Sequence, residues 1–225
     1  MAARAEEFSA TYRVTLAGVP VGEGRVSGRV DEGAYSARVN GKVGILGISN
    51  VFDAETQGRF RQTRLQPMNY RVSSSGRESR NVSVAFAGDR AVRTTISPEY
   101  SDTERAERTP ILPAHQDDVI NPLTAVMTRA LQAAAGSDPC RGVTPVFSGT
   151  TRFDVTFGPG EARDGEIVCQ ATSRPIAGHK RALETAPPRT VLVAFSASPG
   201  GVHLRFPIRI EIPTAFGTFV LRRAS

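Results

Sequence analysis

The chain has 225 residues, of which 40% are hydrophobic and 22% are charged, and a formal net charge of +6 at pH 7. This composition lies near the average of globular proteins and away from that of disordered or membrane proteins, and no apolar run reaches the roughly 18 residues that a membrane-spanning helix needs. A chain of this length buries about 70% of the surface that its unfolded form exposes, so a sizeable core is available.

Residues 1–7 are predicted to be a flexible N-terminus or the remnant of an artificial start, ahead of a single domain over residues 8–225. The opening MAARAEEF lacks the apolar core of a signal peptide, and a short Ala/Arg stretch after Met1 runs straight into a strand-like sequence. This arrangement is expected when a natural leader has been removed or replaced for expression. The sequence therefore predicts an exported protein without its leader.

Short strands with two-residue periodicity follow. The first carries one apolar face, formed by Phe8, Ala10, Tyr12, Val14 and Leu16. Glycine-containing turns such as Asp31–Gly33 separate the strands at short, even spacing, which predicts an antiparallel meander. The stretch GKVGILGISNVF, from Gly41 to Phe52, lacks clean alternation and predicts bulges or bends in a sheet that curls.

The densest positive charge falls on the strands that come next. Six arginines lie close together in sequence: Arg59, Arg61, Arg64, Arg71, Arg77 and Arg80. Alternation places Arg59 and Arg61 on one face, whereas Arg64 is predicted to point the other way unless a bulge intervenes. Two interpretations stay open, a solvated strand face and a basic surface that binds a polyanion.

A polar, proline-containing stretch from Ser97 to Asp118 predicts a long exposed loop, and one amphipathic helix follows it. Asn121 is the predicted N-cap, Pro122 the first helical residue, and Gly136 the stop after the last turn. Helical spacing predicts an apolar face that packs on the sheet, made of Leu123, Val126, Met127, Ala130, Leu131 and Ala134. The polar face is predicted to hold Thr124, Thr128, Arg129 and Gln132.

The two cysteines, Cys140 and Cys169, enclose a sequence that predicts a turn and one hairpin. If RFDVTF pairs with EIVCQAT across the turn GPGEARDG, Cys169 lies in the second strand and Cys140 lies upstream of the first, directly after the helix. Their separation fits no metal-binding or CxxC spacing. A disulfide would tie the helix exit to the sheet and indicate an oxidising compartment. Two unrelated reduced cysteines are the alternative.

Strand-like alternation returns after the second cysteine and continues to the end of the chain. Near the end, polar residues alternate with a row predicted to be buried, formed by Leu204, Phe206, Ile208, Ile210 and Ile212. Pro207 within this segment indicates an edge position or a bulge. The predicted fold is mostly β: a curled antiparallel sheet of roughly a dozen strands, a β-roll or spiral-like open barrel, wrapped around one amphipathic α-helix.

No arrangement of catalytic or metal-binding residues is recognisable in the sequence. The three histidines, His115, His179 and His203, are far apart and form no HExxH motif, and neither a GxSxG elbow nor a phosphate-binding loop is present. We therefore predict a protein that is not an enzyme and uses no metal or cofactor.

Six stretches spread over nearly the whole chain carry a resemblance when taken in order: YRVTLAGVPVGEGRVSG, LQPMNYRV, DDVINPLTAV, DPCRGVTPVFSGTTRFDVTF, VCQATSRPIAGHKR and FPIRIEIPTAFGTFVLRR. They resemble bacterial exported proteins of the domain of unknown function 3108 family, in its alphaproteobacterial form. The resemblance implies a periplasmic protein with a curled β-sheet around a helix. It implies no activity, because none is established for the family.

Two hypotheses for the function follow. In the first, the sheet and the helix enclose a groove for an apolar envelope component, such as a lipid or a lipoprotein acyl chain, lined by Leu123, Val126, Met127, Phe153 and Phe206. In the second, a closed scaffold binds a protein or an anionic envelope polymer through the arginine-rich face. Nucleic acid is not an expected partner, because that idea rests on charge alone and does not suit an oxidising compartment.

Overall fold

A computed structural model describes residues 6–45, 48–61, 64–76, 79–183, 187–196 and 204–224. These residues form one 14-stranded antiparallel sheet that is nearly closed into a barrel with a seam. The predicted fold class, a curled antiparallel sheet around an amphipathic helix, is confirmed.

The first half of the sheet is a continuous meander of long strands. Its strands are β1 (Glu6–Leu16), β2 (Val19–Asp31), β3 (Ala34–Ile45), β4 (Ile48–Arg61), β5 (Arg64–Ser75), β6 (Arg80–Ala87) and β7 (Arg90–Ser97). Alternation places apolar side chains on the concave face and polar ones on the convex face, as in β6, where Val82 and Val84 are buried and Asn81 is exposed. Glu6 and Glu7, predicted to belong to a flexible N-terminus, are part of β1, and residues 1–5 lie outside the described residues.

The second half contains shorter strands. These are β8 (Gly142–Phe147), β9 (Arg152–Phe157), β10 (Glu161–Arg163), β11 (Glu166–Ala177), β12 (Arg189–Ser196), β13 (Arg209–Thr214) and β14 (Gly217–Arg223). The order across the sheet is β7-β6-β5-β4-β3-β2-β1-β14-β13-β12-β11-β9-β8, with β10 paired to β11 off this path. The first and last strands of the chain therefore lie side by side, with Val14 opposite Leu221.

The connection from β7 to β8 crosses the concave side and contains the central helix, α2 (Pro122–Ala134). Its start and stop agree with the prediction. The side chain of Asn121 accepts a hydrogen bond from the backbone N–H of Thr124 at 2.9 Å, and Gly136 follows the helix with a φ of +73°. Two residues of the predicted polar face, Thr124 and Arg129, are buried instead, because the coiled sheet encloses the helix on more than one side.

The segment before α2 spans the seam between the two edge strands. Val119 donates a backbone hydrogen bond to the carbonyl of Asp89, in the turn between β6 and β7, at 2.7 Å. The next residue, Ile120, pairs in parallel with Val146 of β8. These contacts link the two ends of the coil.

The stretch from Ser97 to Asp118, predicted to be a long loop, contains local structure. It includes a short helix, α1 (Asp102–Ala106), and a 3-10 turn at Pro113–Gln116. A capping box starts α1: the Ser101 hydroxyl accepts from the N–H of Glu104, and the Glu104 carboxylate accepts from the N–H of Ser101. The Ser-x-x-Glu pattern is visible in the sequence, and a loop prediction overlooks it.

The predicted pairing of RFDVTF with EIVCQAT is wrong in register. In the structure Phe157 of β9 lies opposite Ala171, so β9 pairs with the later part of β11, and Cys169 pairs with β12. The intervening sequence forms β10, which makes its own hairpin with the start of β11. Asp164 and Gly165 adopt positive φ at the tip of that hairpin and so permit a tight turn.

The strand predicted around Pro207 begins later than expected. Residues 204–207 precede β13, and Leu204 and Phe206 are buried in the main core beside α2. Pro207 has no backbone N–H to donate to a strand ladder. Its carbonyl instead accepts a hydrogen bond from the hydroxyl of Tyr12 at 2.7 Å.

Candidate functional site

An apolar cavity of about 360 Å³ lies between the first half of α2 and the concave face of the sheet. This volume falls within the range of about 300–1,000 Å³ that is typical of small-molecule sites. The helix contributes Pro122, Leu123 and Val126, and the segment before β13 contributes Phe206 and Pro207. Val126 is 42% exposed, so the cavity is reachable from solvent.

Inward-facing side chains from seven strands form the opposite wall. The first half of the sheet supplies Tyr12, Val14, Val26, Val39, Phe52 and Tyr70, and β13 and β14 supply Ile210, Ile212, Phe219 and Leu221. Two charged residues, Glu23 and Arg25, also border the cavity, and both are exposed. They alternate with Gly24 and Val26, so their side chains project to the convex face. The sequence signal for this wall is the two-residue alternation of its strands.

Glycines on the concave face explain why the space is not filled. On β2 the inward positions include Gly22, Gly24 and Gly28, and Gly24 itself borders the cavity. On β3 the ring of Phe52 lies so close to Gly41 that an added Cβ would be 2.6 Å from it. Gly24 leaves space on the concave side, Gly28 admits the ring of Phe8, and Gly22 admits the backbone of Lys42.

A buried polar cluster fixes the start of α2 over the cavity. The Tyr35 hydroxyl lies 2.7 Å from the Thr124 hydroxyl, and the side-chain amide of Asn121 donates to the Thr56 hydroxyl at 2.9 Å. Thr56 in turn donates to the carbonyl of Asn69 at 3.1 Å. Each buried polar group therefore has a partner, which avoids the cost of an unsatisfied donor or acceptor. These bonds join the helix to β3, β4 and β5.

Two buried tyrosines bring hydroxyl groups to the cavity wall. Burial raises the pKa of Tyr12 and that of Tyr70 to about 12 each, so both hydroxyls are protonated at neutral pH. The Tyr12 hydroxyl is held by the carbonyl of Pro207. The Tyr70 hydroxyl makes no hydrogen bond within the described part of the chain, although the residue is only 5% exposed. It is a polar group that a ligand could satisfy.

The structure brings together three of the five residues predicted to line a groove. Leu123, Val126 and Phe206 border the cavity. Met127 is fully buried behind it in the main core. Phe153 is elsewhere: it lies in β9, where its ring packs edge-on to His179 at 6.3 Å between centroids. The register of β9, which the sequence does not reveal, decides this position.

The predicted basic surface is described for five of its six arginines, and Arg77 lies outside the described residues. Arg59, Arg61 and Arg64 share the convex face. Arg61 lies directly opposite Arg64 across β4 and β5. The prediction that Arg64 points the other way is wrong, because directly opposed residues of antiparallel strands project to the same side.

Carboxylates neutralise much of this surface. Arg64 pairs with Asp89, and Arg71 pairs with Glu55 at 3.2 Å. Arg80 is largely buried: it pairs with Glu104 of α1 at 2.9 Å, and its guanidinium lies 3.8 Å from the centroid of the Tyr100 ring. Arg59 and Arg61 make no ion pair with any residue that the structure describes.

A second cavity, of about 450 Å³, lies between the later half of α2 and β8 and is polar. Arg129 borders it and is only 6% exposed. The guanidinium donates to the carbonyl of Arg141 at 2.6 Å and to the hydroxyl of Thr144 at 2.5 Å, and it stacks on Phe157. Burial lowers the pKa of Arg129, which has no carboxylate partner in the described ranges.

The disulfide between Cys140 and Cys169 is present, with a Cα–Cα distance of 5.0 Å. It ties the chain after α2 to β11 and lies in a second, smaller core with Ala133 and Phe195. Both cysteines are fully buried. A Cβ on Gly160 would lie 2.6 Å from the sulfur of Cys140, so the backbone before β10 closes over the bridge.

Comparison with known families places this chain. A family model described as a protein of unknown function, DUF3108, matches residues 11–222. The chain belongs to the DUF3108 family. The family region contains both cavities and the disulfide. No curated protein and no solved structure matches the chain.

Among the described residues, no group of three or more His, Cys, Asp or Glu side chains could hold a metal ion. In the same residues, no helix is long and apolar enough to cross a membrane.

Proposed function

We propose that this protein binds an acyl chain, or a similar apolar part of a cell-envelope component, in the cavity beneath α2. The observation that carries the proposal is the cavity itself: it is reachable from solvent, and aliphatic and aromatic side chains form almost all of its lining. Burial of apolar surface drives such binding without any directional contact. A ligand that is mainly hydrocarbon fits this lining best.

The proposal is for binding without catalysis. Glu23 and Arg25 border the cavity but project to the convex face, so the hydroxyls of Tyr12 and Tyr70 are the titratable groups on its inner wall. Burial raises the pKa of each hydroxyl to about 12. At neutral pH neither acts as a base. Tyr70, whose hydroxyl is unpartnered in the described chain, is suited to donate one hydrogen bond to a polar ligand atom.

The proposed location is the periplasm. A buried disulfide supports it, because such bridges form and persist in oxidising compartments. Binding of a protein or an anionic polymer through the arginine-rich face has weaker support, because Arg64, Arg71 and Arg80 already pair with carboxylates.

The test is titration of the delipidated protein with dansyl-undecanoic acid, whose emission rises on transfer to an apolar site. We expect saturable binding, weakened about tenfold or more by Val126→Glu, because the substitution puts a carboxylate into an apolar cavity. Val92→Glu is the matched control. Val92 is 55% exposed on β7 and does not line the cavity. Equal affinities for the two variants, or no binding by the unsubstituted protein, would refute the proposal.

A further inference from the structure

Three hairpin segments on neighbouring strands of the sheet contain no charged residue, although 22% of the whole sequence is charged. They are residues 14–22 (VTLAGVPVG), 43–52 (VGILGISNVF) and 212–221 (IPTAFGTFVL). Each one spans the hairpin between two strands: β1 and β2, β3 and β4, and β13 and β14.

The topology places all three hairpins at the same end of the sheet. Their strands are consecutive in the order β4-β3-β2-β1-β14-β13, and every neighbouring pair is antiparallel. A backbone hydrogen bond from Ala17 to the carbonyl of Thr218, at 3.1 Å, joins the first hairpin to the third. We call these three hairpins together the uncharged end.

The opposite ends of the meander strands differ. There the hairpins carry charges at their tips or bases, namely Asp31 and Glu32, Arg61 and Arg64, and Asp89 and Arg90. The hairpin between β5 and β6 lies at the same end as the three uncharged hairpins but carries Arg80. The division between a charged and an uncharged end therefore holds for β1–β4, β13 and β14. General solubility does not explain this division, because it favours charges at every exposed turn.

The uncharged end exposes large apolar side chains on tight turns. Phe216 is 85% exposed and Val19 is 62% exposed. Gly18, which precedes Val19, and Gly217, which follows Phe216, adopt positive φ and so permit the tight turns. Val19 and Phe216 contribute little to the core, so the unfavourable free energy of exposing their apolar surface to water is not offset by packing. Such patches mark interaction sites.

The uncharged end is continuous with the cavity. Val14, Val43, Phe52, Ile212 and Phe219 belong to the three uncharged segments and also line the cavity. The apolar wall of the binding site therefore runs to the exposed tips without an intervening charge. On the β12 side, Lys180, Arg181 and Arg189 are exposed, together with Glu107, whose carbonyl accepts a backbone hydrogen bond from Arg181. An apolar tip beside basic residues complements an anionic phospholipid surface.

We infer that the uncharged end docks on a phospholipid bilayer, with Val19 and Phe216 entering the interface, and that the acyl chain passes between bilayer and cavity at this end. This inference rests on the proposed function. It adds the partner, a lipid surface, and the side of the molecule that meets it.

The absence of tryptophan from the chain provides a direct test. Phe216→Trp creates a protein with a single tryptophan at the uncharged end, and Val92→Trp creates the matched control near the opposite end. With vesicles of phosphatidylcholine and phosphatidylglycerol, we expect the emission of Phe216→Trp to shift to shorter wavelength and to be quenched by brominated acyl chains. The emission of Val92→Trp should not change. Equal responses of the two variants would overturn the inference.

Vesicle flotation of charged variants measures the energetic role of the same residues. The affinity of the double variant Val19→Asp with Phe216→Asp for vesicles should fall by about tenfold or more, because two exposed apolar groups no longer enter the bilayer. The double variant should keep its affinity for dansyl-undecanoic acid in the absence of vesicles. Probe binding separates the two proposals. If the unsubstituted protein does not bind the probe, the cavity function itself is refuted; if it binds the probe but the double variant floats with vesicles as well as it does, only docking at the uncharged end is refuted.

Two other outcomes would overturn docking on lipid. In one, the unsubstituted protein binds the probe but does not float with vesicles. In the other, it self-associates in the absence of lipid and the double variant does not, which would assign the uncharged end to a contact between copies of the chain.

Discussion

The two halves of the sheet are stabilised in different ways. In the first half, β1–β7, long strands bury apolar residues against α2, and the buried polar cluster around Asn121 holds the helix in place. In the second half, β8–β14, β13 and β14 contain no fully buried residue, and the core around the disulfide is small. Ion pairs add to it, such as Arg209 with Glu166 at 2.6 Å.

The difference relates stability to the proposed function. A cavity reduces the apolar contacts available to the strands that surround it, because empty space offers no partner atoms. β13 and β14 form one wall of the cavity and are only partly buried. A covalent bridge in the second half offsets this weaker packing without filling the site. The predictions below test whether the two halves depend on different interactions.

The largest effect is expected from removal of the disulfide. The double variant Cys140→Ser with Cys169→Ser should lose about 3–4 kcal/mol of unfolding free energy on the chain-entropy account of a loop of this size. Urea unfolding of the two proteins measures the difference. Reductant should destabilise the unsubstituted protein to a similar extent and leave the variant unchanged. A loss below about 1 kcal/mol would show that the second half does not depend on the bridge.

Removal of the buried arginine should have the next largest effect. Arg129→Met should cost about 2–3 kcal/mol, because the carbonyl of Arg141 and the hydroxyl of Thr144 lose a charged donor in a buried site. Arg141→Met is the matched control, since that side chain is largely exposed, and it should change stability by less than about 0.5 kcal/mol. Similar losses for both variants would contradict the role given to Arg129.

The cap of the central helix should contribute less. Asn121→Ala removes the bond to the Thr124 N–H and the bond to Thr56, and we expect a loss of about 1–2 kcal/mol by urea unfolding. Ser101→Ala removes the cap of the exposed helix α1 and serves as comparison, with an expected loss of about 0.5–1 kcal/mol. If the exposed cap proved the more costly, the buried cluster would not be the anchor of α2.

The smallest effect concerns acidification. Desolvation lowers the pKa of His179 in the folded state, and the positive charge of Arg108 adds to this shift, while the hydrogen bond to the carbonyl of Arg152 opposes it. Below the unfolded pKa of about 6.5 the unfolded chain binds more protons, so stability falls with falling pH. His179→Gln should flatten this dependence between pH 7 and pH 5. An unchanged profile would exclude His179 as its source.

The sequence predicted those features that depend on local signals. Asn121, Pro122 and Gly136 define α2 through capping, fixed φ and a left-handed stop, and none of these requires knowledge of the rest of the fold. Strand alternation likewise identified Ile210 and Ile212 as inward-facing. The cysteine pairing was predictable because the intervening sequence is short and contains no metal-binding spacing.

Features that depend on distant parts of the chain were not predictable. Arg80 is not part of the exposed basic surface, because it pairs with Glu104 of α1 and stacks on Tyr100. Phe153 does not line the cavity, because β9 pairs with the later part of β11. Arg129 was assigned to a polar face because helical periodicity identifies one apolar side, and it cannot show that β8 covers a second side.

The most direct test of the central claim is photo-crosslinking with a fatty acid that carries a diazirine near its methyl end, followed by mass-spectrometric mapping of the labelled peptides. The cavity account predicts labels concentrated in residues 122–126 and 210–221, and competition by unlabelled fatty acid. Labels spread over the convex face, or labels that unlabelled fatty acid does not displace, would contradict it.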